Sequence, residues 1–210
     1  LNLMRSKIIE DYKKSLTLTE TQRQIIVGLL LGDGHLESQN RGRTYRLKIE
    51  HSIKQKAYVD WLYQIFSEWS RQAPKSRIKK SFDKDIISYG FTTYSSGLLR
   101  FYGQQFYLGK KKIIPKTIKK LLSPQSLAIW FMDDGSWKSS HHHTYIIHTL
   151  GYKKSELNLM KEVLKDKFGI SSGIHKQYDK WRIYIYGDSS EEFKLLIKPY
   201  VISAMSYKLG

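Results

Sequence analysis

The sequence predicts an α+β fold made of two similar halves, in which the order helix, strand, strand, helix, strand, strand, helix (αββαββα) occurs twice. Two observations support this prediction. A short apolar run ends in an acid followed by glycine at Asp33-Gly34, and again at Asp134-Gly135, which lies 134 − 33 = 101 residues later. Segments with strand-like alternation and with helical periodicity then follow each run in the same order.

Each acid-ending run is predicted to be a helix with a defined start. Thr19 and Gln22 have the spacing of a capping box, in which each residue satisfies a backbone N–H at the helix entrance. Ser123 and Pro124 provide an N-cap and a proline in the first turn. Both apolar runs are therefore expected to be helical from these residues onward.

The two acids are expected at the ends of these helices. Gly34 and Gly135 are natural helix stops, so Asp33 and Asp134 lie at helix C-termini, where the macrodipole disfavours a carboxylate by roughly 0.3 to 1 kcal/mol. The alternative is a pair of ordinary Asp-Gly turns. The repetition, and the apolar helices that are expected to bury both acids, favour a bound cation.

The two predicted helices differ in the faces that they offer each other. Gly28 and Gly32 are four residues apart and share one face, which permits a close helix contact. When the runs are aligned on their acids, the corresponding residues of the second helix are Ile129 and Asp133. A symmetric contact between glycines is therefore not expected, and the two active sites need not be equivalent.

The remaining elements follow from periodicity. In segment 45–51, Tyr45, Leu47 and Ile49 alternate with polar residues, which is typical of a half-buried strand. The other elements predicted in the first half are a helix from 54 to about 69, strands near 77–80 and 86–92, and a helix at 95–106. Those of the second half are a strand at 145–149, a helix at 155–168, strands at 172–177 and 181–186, and a helix at 191–197.

A basic segment separates the halves. We predict an N-terminal half at 1–108, a linker at 109–122 and a C-terminal half at 123–210. The stretch 109–120 has six lysines and no acid. A solvated linker and a phosphate-contacting segment are both compatible with this composition.

The charge of the chain indicates a polyanionic partner. Lys and Arg number 36 against 19 Asp and Glu, which gives a formal net charge of +17 and a pI near 9.8. Nucleic acid is the usual partner of such a chain, and a membrane surface is the competing one. No apolar run approaches the roughly 20 residues of a membrane span, so a soluble protein is expected. Its compartment is not determined by the sequence, and an organelle and a bacterial or archaeal cytoplasm are the intracellular alternatives. The absence of cysteine excludes disulfides, thiolate metal sites and cysteine nucleophiles.

The two acid-ending helices resemble the motif of the LAGLIDADG homing endonucleases, and the chain resembles their single-chain, two-motif, intron-encoded type. Further segments carry the resemblance: Trp130-Phe131-Met132-Asp133-Asp134-Gly135, Lys111-Lys112-Ile113-Ile114-Pro115, Leu196-Ile197-Lys198-Pro199-Tyr200 and Tyr207-Lys208-Leu209. The resemblance implies that the motif helices pack side by side at a pseudo-twofold axis. It also implies that each half contributes a saddle-shaped, four-stranded antiparallel sheet that lies in the DNA major groove.

The resemblance also implies an active site. Two carboxylates facing each other can share a hard divalent cation, and Asp33 and Asp134 take this role, with the backbone carbonyls of Gly32 and Asp133 as further metal ligands. The other catalytic candidates are Lys112 and Lys208, which stabilise the transition state or activate water, and Glu50 and Gln177, which match positions that order water. Solvated lysines, and a surface ion pair of Glu50 with Lys48, are the alternatives.

The predicted open faces of the strands supply the DNA contacts, because basic side chains suit phosphates and guanine edges. The candidate DNA-binding residues are Arg43, Arg46, Lys48, Arg77, Lys79, Lys176, Lys180, Arg182 and Tyr184. The run His141-His142-His143 is assigned no metal, because three consecutive residues do not converge on one ion.

The function implied by the resemblance is site-specific cleavage of double-stranded DNA at a long asymmetric target by a monomer, leaving short 3′ overhangs. The expected cofactor is Mg²⁺, with Mn²⁺ as a substitute and Ca²⁺ as an inactive one. The alternative is a maturase that binds a group I intron RNA with the same fold. A non-catalytic DNA-binding regulator is less consistent with the sequence, since a binder gains nothing from two buried negative charges facing phosphate.

Overall fold

The computed structural model describes residues 2–80, 85–138 and 143–210, with side chains from residue 7 onward. The chain forms two compact units. Unit 1 comprises the chain up to Arg23 together with Gly34–Gly103, and unit 2 comprises Gln24–Asp33 and Gln104–Gly210. Most of the first acid-ending helix therefore belongs to unit 2. The predicted boundaries at residues 108 and 123 remain a prediction.

Unit 1 is built around a four-stranded antiparallel sheet in the order β1-β2-β4-β3. In chain order the elements are α1 (Asn2–Ser15), α2 (Glu20–Leu31), β1 (His35–Gln39), β2 (Thr44–Ser52), α3 (Lys56–Ile65), β3 (Lys75–Lys79), β4 (Ile86–Thr92) and α4 (Arg100–Phe106). Leu47 and Ile49 of β2 are fully buried on the face covered by α3. The alternation in this strand thus leaves its charged residues on the opposite, open face.

Unit 2 holds a second four-stranded antiparallel sheet, in the order β7-β8-β10-β9. Its further elements are β5 (Tyr107–Leu108), β6 (Lys111–Lys112), α5 (Ile118–Leu121), α6 (Pro124–Asp134), β7 (Gly135–Trp137), β8 (Tyr145–Ile147), α7 (Lys154–Phe168), β9 (Ser172–Gln177), β10 (Lys180–Ile185) and α8 (Ser190–Ile197). The rings of Phe131, Tyr145 and Phe193 pack against one another in its core, with centroids 5.3 to 5.5 Å apart.

The predicted repeat is confirmed. The order α2-β1-β2-α3-β3-β4-α4 recurs as α6-β7-β8-α7-β9-β10-α8. The helix predicted from 54 to 69 is shorter, since a 3-10 turn precedes α3 and another, Ser67–Trp69, follows it. The basic segment 109–122 is anchored to unit 2 through β6 and α5, and Ile114, Ile118 and Leu122 are buried.

The two predicted helix starts are confirmed. At α2 the backbone N–H of Thr19 donates to Gln22 Oε1 (3.0 Å), and the N–H of Gln22 donates to Thr19 Oγ1 (3.2 Å). Ser123 caps α6 and forms a reciprocal capping box with Ser126. Gly135 ends α6 in an extended conformation (φ −86°, ψ 154°) and not in a left-handed one, because the chain turns directly into β7.

Helices α2 and α6 pack closely along the face that carries the two glycines. A Cβ placed on Gly28 would lie 2.5 Å from the Cβ of Ile129 and 2.5 Å from the carbonyl oxygen of Ser126. A Cβ on Gly32 would lie 2.6 Å from the Cβ of Asp133. The predicted asymmetry is thus present: each glycine makes room for the larger residue at the aligned position of α6.

None of the described helices combines the length and the apolar character that a membrane span requires.

Candidate active site

Three aspartates meet where α2 and α6 end. Asp33 lies in the two-residue turn that follows α2, and its backbone N–H donates to Asp133 Oδ2 at 2.9 Å. Asp134 is the last residue of α6. Asp133 is buried, with 8% of its surface exposed, and Asp134 is half-buried. Asp33 is exposed, so the expected burial of both motif acids is wrong for the first one.

Burial and the neighbouring aspartates raise the proton affinity of Asp134. Burial, followed by the negative charges of Asp133 and Asp33, raises the pKa of Asp134 to about 8, and Lys112 opposes the shift. Desolvation and like charge therefore both disfavour the ionised form of this carboxyl group. A partly buried cluster of hard oxygen donors from three aspartates is suited to a divalent cation.

The two predicted lysines lie at equivalent positions in this cluster. Lys112 Nζ donates to the carbonyl oxygen of Gly32 at 2.5 Å. Lys208 Nζ donates to the carbonyl oxygens of Met132 (2.5 Å) and Asp133 (3.0 Å). Each lysine thus binds the carbonyl that precedes one motif acid, and these are the two carbonyls predicted as metal ligands. Burial lowers the pKa of both lysines, and the aspartates partly restore it.

Tyr152 and His148 are site residues that the sequence analysis did not identify. The Tyr152 hydroxyl donates to the carbonyl oxygen of Leu31 at 2.8 Å. His148 follows β8, and its backbone N–H donates to the carbonyl oxygen of Asp134 at 3.0 Å. Both residues line a cavity of about 500 Å³ that Lys112 and Asp134 also border. The cavity gives small ligands access to one side of the acidic cluster.

Glu50 lies on the open face of the unit 1 sheet and is held by neighbours. Its carboxylate accepts from Ser88 Oγ (3.0 Å) and Arg77 Nη1 (3.1 Å), and lies 3.3 Å from Lys48 Nζ. Partial burial raises the pKa of Glu50, but these partners outweigh it, so the pKa is lower than usual. The structure therefore contains the ion pair between Glu50 and Lys48 that was the alternative to a water-ordering role.

Strand register identifies the unit 2 residue that corresponds to Glu50. In unit 1, the second residue after the motif acid, His35, pairs with Lys48, and Glu50 lies two residues beyond Lys48. In unit 2, the second residue after the motif acid, Ser136, pairs with Ile146. Two residues beyond Ile146 is His148.

His148 therefore occupies the register position that corresponds to Glu50, and the role of Gln177 stays a prediction. Gln177 is on β9, beside the hairpin turn to β10, where it pairs with Lys180. The His148 ring lies with Nε2 3.0 Å from Ser136 Oγ. Burial and the positive charges of Arg182 and Lys208 lower its pKa, so the neutral imidazole predominates at pH 7.

The predicted DNA-binding residues of unit 1 share one surface. Arg46 and Lys48 of β2 lie on the open face, and the pairing of β3 with β4 places Arg77 and Lys79 on that same face. Arg43 is exposed in the turn before β2. Glu37 and Glu50 lie among these basic side chains and form ion pairs with them, so the face has a net positive charge that suits DNA.

One of the DNA-binding residues predicted in the unit 2 sheet, Lys176, lies on the wrong face of the sheet. Arg182 and Tyr184 alternate with the buried Ile183 and Ile185, so they lie on the open face, together with Lys180. Lys176 pairs with Trp181 and therefore points to the opposite face. The prediction for Lys176 is wrong by one residue. His175 is on the open face instead, with its ring centroid 4.4 Å from that of Tyr184.

The histidine run is only partly described. His141 and His142 lie outside the described residues. The carbonyl oxygen of His143 accepts a hydrogen bond from Ser190 Oγ.

Comparisons with known proteins identify the family. The model of the LAGLIDADG DNA endonuclease family matches residues 23–193. Probable intron-encoded endonuclease 1 of Wickerhamomyces canadensis is 33% identical over 211 residues, which cover 97% of this chain and 90% of that protein. Cytochrome b mRNA maturase bI2 of Debaryomyces hansenii is 28% identical over 214 residues, covering 98% of this chain and 79% of the maturase.

A solved structure agrees with these relatives. The homing endonuclease I-WcaI, bound to its DNA recognition sequence, matches with a TM-score of 0.91 and 31% identity over 97% of this chain and 92% of its own. The two motif helices, the repeated element order and the two antiparallel sheets are thus the homing endonuclease fold. The chain belongs to the LAGLIDADG DNA endonuclease family.

Proposed function

We propose that this protein is a site-specific DNA endonuclease that, as a monomer, hydrolyses one phosphodiester bond in each strand of a long target and leaves short 3′ overhangs. The observation that carries the proposal is the paired arrangement in unit 2, where each motif acid has a lysine bound to the carbonyl that precedes it. Each acid–lysine pair could act on one scissile phosphate, and a double-strand break requires two of them. The similarity to I-WcaI, which was solved with its DNA recognition sequence, supports the choice of polymer.

The donor set fits a divalent metal ion, Mg²⁺ or Mn²⁺. The residues that would hold it are Asp33 and Asp134 through their carboxylates, and Gly32 and Asp133 through their carbonyls. Every one of these atoms is oxygen, the donor that hard cations prefer. Burial and the charges of Asp133 and Asp33 raise the pKa of Asp134, and a cation bound there would favour its ionised form. A bound ion supplies Lewis acidity to the phosphate and increases the acidity of a nucleophilic water.

The side chains around the acids have distinct proposed tasks. Lys112 and Lys208 place ammonium groups where the extra negative charge of the pentavalent transition state develops. The neutral imidazole of His148 can accept a proton from, or orient, a water molecule on one side. Glu50 is its counterpart in the other half and orders water through its carboxylate.

The differences between the halves favour an asymmetric target. Glu50 corresponds to His148. The open face of unit 1 carries Arg46, Lys48, Arg77 and Lys79, whereas that of unit 2 carries His175, Lys180, Arg182 and Tyr184. Two sheets with different side chains read different base sequences. A palindromic target would not use this difference.

Plasmid cleavage tests the proposal. The substrate is a plasmid carrying the uninterrupted sequence of the gene at which this reading frame is inserted, with the I-WcaI recognition sequence as a second substrate. We expect linear product with Mg²⁺ or Mn²⁺, and binding without cleavage with Ca²⁺. Failure to linearise either plasmid, with the protein folded and bound to the DNA, would contradict the proposal.

A second candidate function is binding of a group I intron RNA as a maturase. It is favoured by the relative from Debaryomyces hansenii, which is named a cytochrome b mRNA maturase. The test is splicing of the host intron in vitro with the Asp33→Asn, Asp134→Asn double variant, which lacks both motif carboxylates. Splicing rescue by this variant would assign a maturase role that does not depend on the nuclease site.

A further inference from the structure

The end of helix α2 is held by a hydroxyl group, whereas the end of helix α6 is held by a lysine. Tyr152 lies in the turn before α7, where its backbone N–H donates to the carbonyl oxygen of Thr149 at 3.2 Å. Its hydroxyl donates to the carbonyl oxygen of Leu31, the last residue of α2, at 2.8 Å. The last turn of α2 contains no basic side chain to satisfy its terminal carbonyls.

The two helix ends are satisfied in different ways. Leu31 and Gly32 of the first motif align with Met132 and Asp133 of the second. At α6, the ammonium group of Lys208 donates to both carbonyls. At α2, two different side chains donate to the corresponding carbonyls. Lys112 donates to Gly32, and the Tyr152 hydroxyl donates to Leu31.

We propose that Tyr152 is a positioning residue for the Asp33 half of the active site, and that through this hydrogen bond it governs the cutting of one DNA strand and not of the other. The inference rests on the proposed nuclease function.

The placement of Asp33 explains why this bond matters. Asp33 is outside the helix and exposed, so the helix does not fix its backbone. Three hydrogen bonds restrain the turn that carries it: Leu31 to Tyr152, Gly32 to Lys112, and the Asp33 N–H to Asp133. Any ligand that competes for the Gly32 carbonyl displaces the Lys112 bond, and Tyr152 then remains as a restraint. Small displacements of a catalytic group are costly for rate.

The test is the Tyr152→Phe variant, which keeps the ring and removes only the hydroxyl. A target duplex labelled on either strand reports the two cleavage rates separately. We expect one strand to be cut about tenfold more slowly, which corresponds to about 1.4 kcal/mol, and the other strand to be cut at the wild-type rate within about twofold. Nicked DNA should accumulate. Equal slowing of both strands, or no slowing, would overturn the inference.

A matched control and a second measurement separate this inference from the proposed function. Tyr12→Phe removes a hydroxyl that donates to the carbonyl oxygen of Glu68 at 2.7 Å in unit 1, and should leave both strand rates unchanged. Hydrogen exchange needs no cleavage activity. In Tyr152→Phe, exchange should increase in a peptide covering 28–36 and stay unchanged in one covering 130–137. Unchanged exchange in the first peptide would refute the positioning role even if wild-type protein cuts no DNA.

Discussion

Asp133 occupies with its carboxylate the space that a side chain on Gly32 would take. The same carboxylate accepts the backbone N–H of Asp33 at 2.9 Å. Because Gly32 has no side chain, the buried carboxylate of Asp133 on α6 can reach the turn after α2 and bind the backbone of Asp33. Packing of α2 against α6 and formation of the active site depend on the same contact.

Gly32→Ala tests this dependence. The added Cβ would lie 2.6 Å from the Cβ of Asp133, so the helices or the carboxylate must move. We expect the free energy of unfolding to fall by about 1 to 3 kcal/mol and cleavage to fall by about tenfold or more, measured by chemical denaturation and by plasmid linearisation. Gly97→Ala is the control, because nothing lies within 4 Å of its added Cβ. A Gly32→Ala protein with wild-type stability and rate would contradict this account.

Asp134→Asn tests the electrostatic cost of the acidic cluster. The pKa of Asp134 is about 8 in the folded chain, against an ordinary value of 3.8. Below about pH 4 the group is protonated in both the folded and the unfolded chain, and it contributes nothing. Between these two pH values the Asp134 carboxyl is ionised in the unfolded chain but still protonated in the folded one. The free energy of unfolding therefore falls as the pH rises to about 8. The neutral variant avoids this loss.

The expected result is a gain in melting temperature that is absent near pH 4, grows with pH and levels off above about pH 8. A gain of about 1 kcal/mol corresponds to roughly 2 to 4 °C for a chain of this size. The melts are recorded in chelator, without divalent ions. Asp166→Asn, which removes a surface ion pair with Lys119, should show no such gain. A gain that is independent of pH would refute the interpretation.

His148→Ala and Gln177→Ala decide which residue is the counterpart of Glu50. Because His148 is linked to Asp134 through its backbone and faces the open side of the sheet, we expect its removal to slow cleavage by about tenfold or more. Gln177→Ala should change the rate by less than about twofold. Single-turnover rates at saturating protein make the comparison independent of affinity. The reverse order of effects would restore Gln177 to the site.

Lys180→Ala and Lys176→Ala test the face assignment on β9 and β10. Lys180 is on the open face, and Lys176 is on the opposite one. If Lys180 neutralises a phosphate, its loss should reduce the slope of log affinity against log salt by about 0.9, whereas Lys176→Ala should leave the slope unchanged. The measurement is a salt titration of duplex binding in Ca²⁺. Equal slopes for both variants would contradict the assignment.

Local signals allowed most of the fold to be predicted. The capping boxes at Thr19 and Ser123 involve residues three positions apart, so their chemistry is visible in the sequence. Strand Ser172–Gln177 has the predicted limits, and it is followed directly by the turn 178–179 that leads into β10. The short strand Gly135–Trp137 has too few residues to show a period, and its position follows only from pairing with β8.

The site could be predicted less completely, because its decisive features are tertiary. The motif acids were identified from their repeated position at helix ends and the two lysines from the family resemblance, and the structure brings them together. The side-chain role of Asp133 depends on the empty space at Gly32, across the helix pair. His148 is identified only by the register of β7 with β8, and Lys176 was assigned to the wrong face because a one-residue shift exchanges the faces of a strand.

The central claim is that Asp33 and Asp134 together perform the hydrolysis of both strands. The most direct measurement is cleavage of a target plasmid in Mg²⁺ by the wild type, Asp33→Asn and Asp134→Asn, with target binding in Ca²⁺ measured for each. We predict that all three proteins bind the target and that only the wild type produces linear DNA. Linear product from either variant at the wild-type rate would contradict the account.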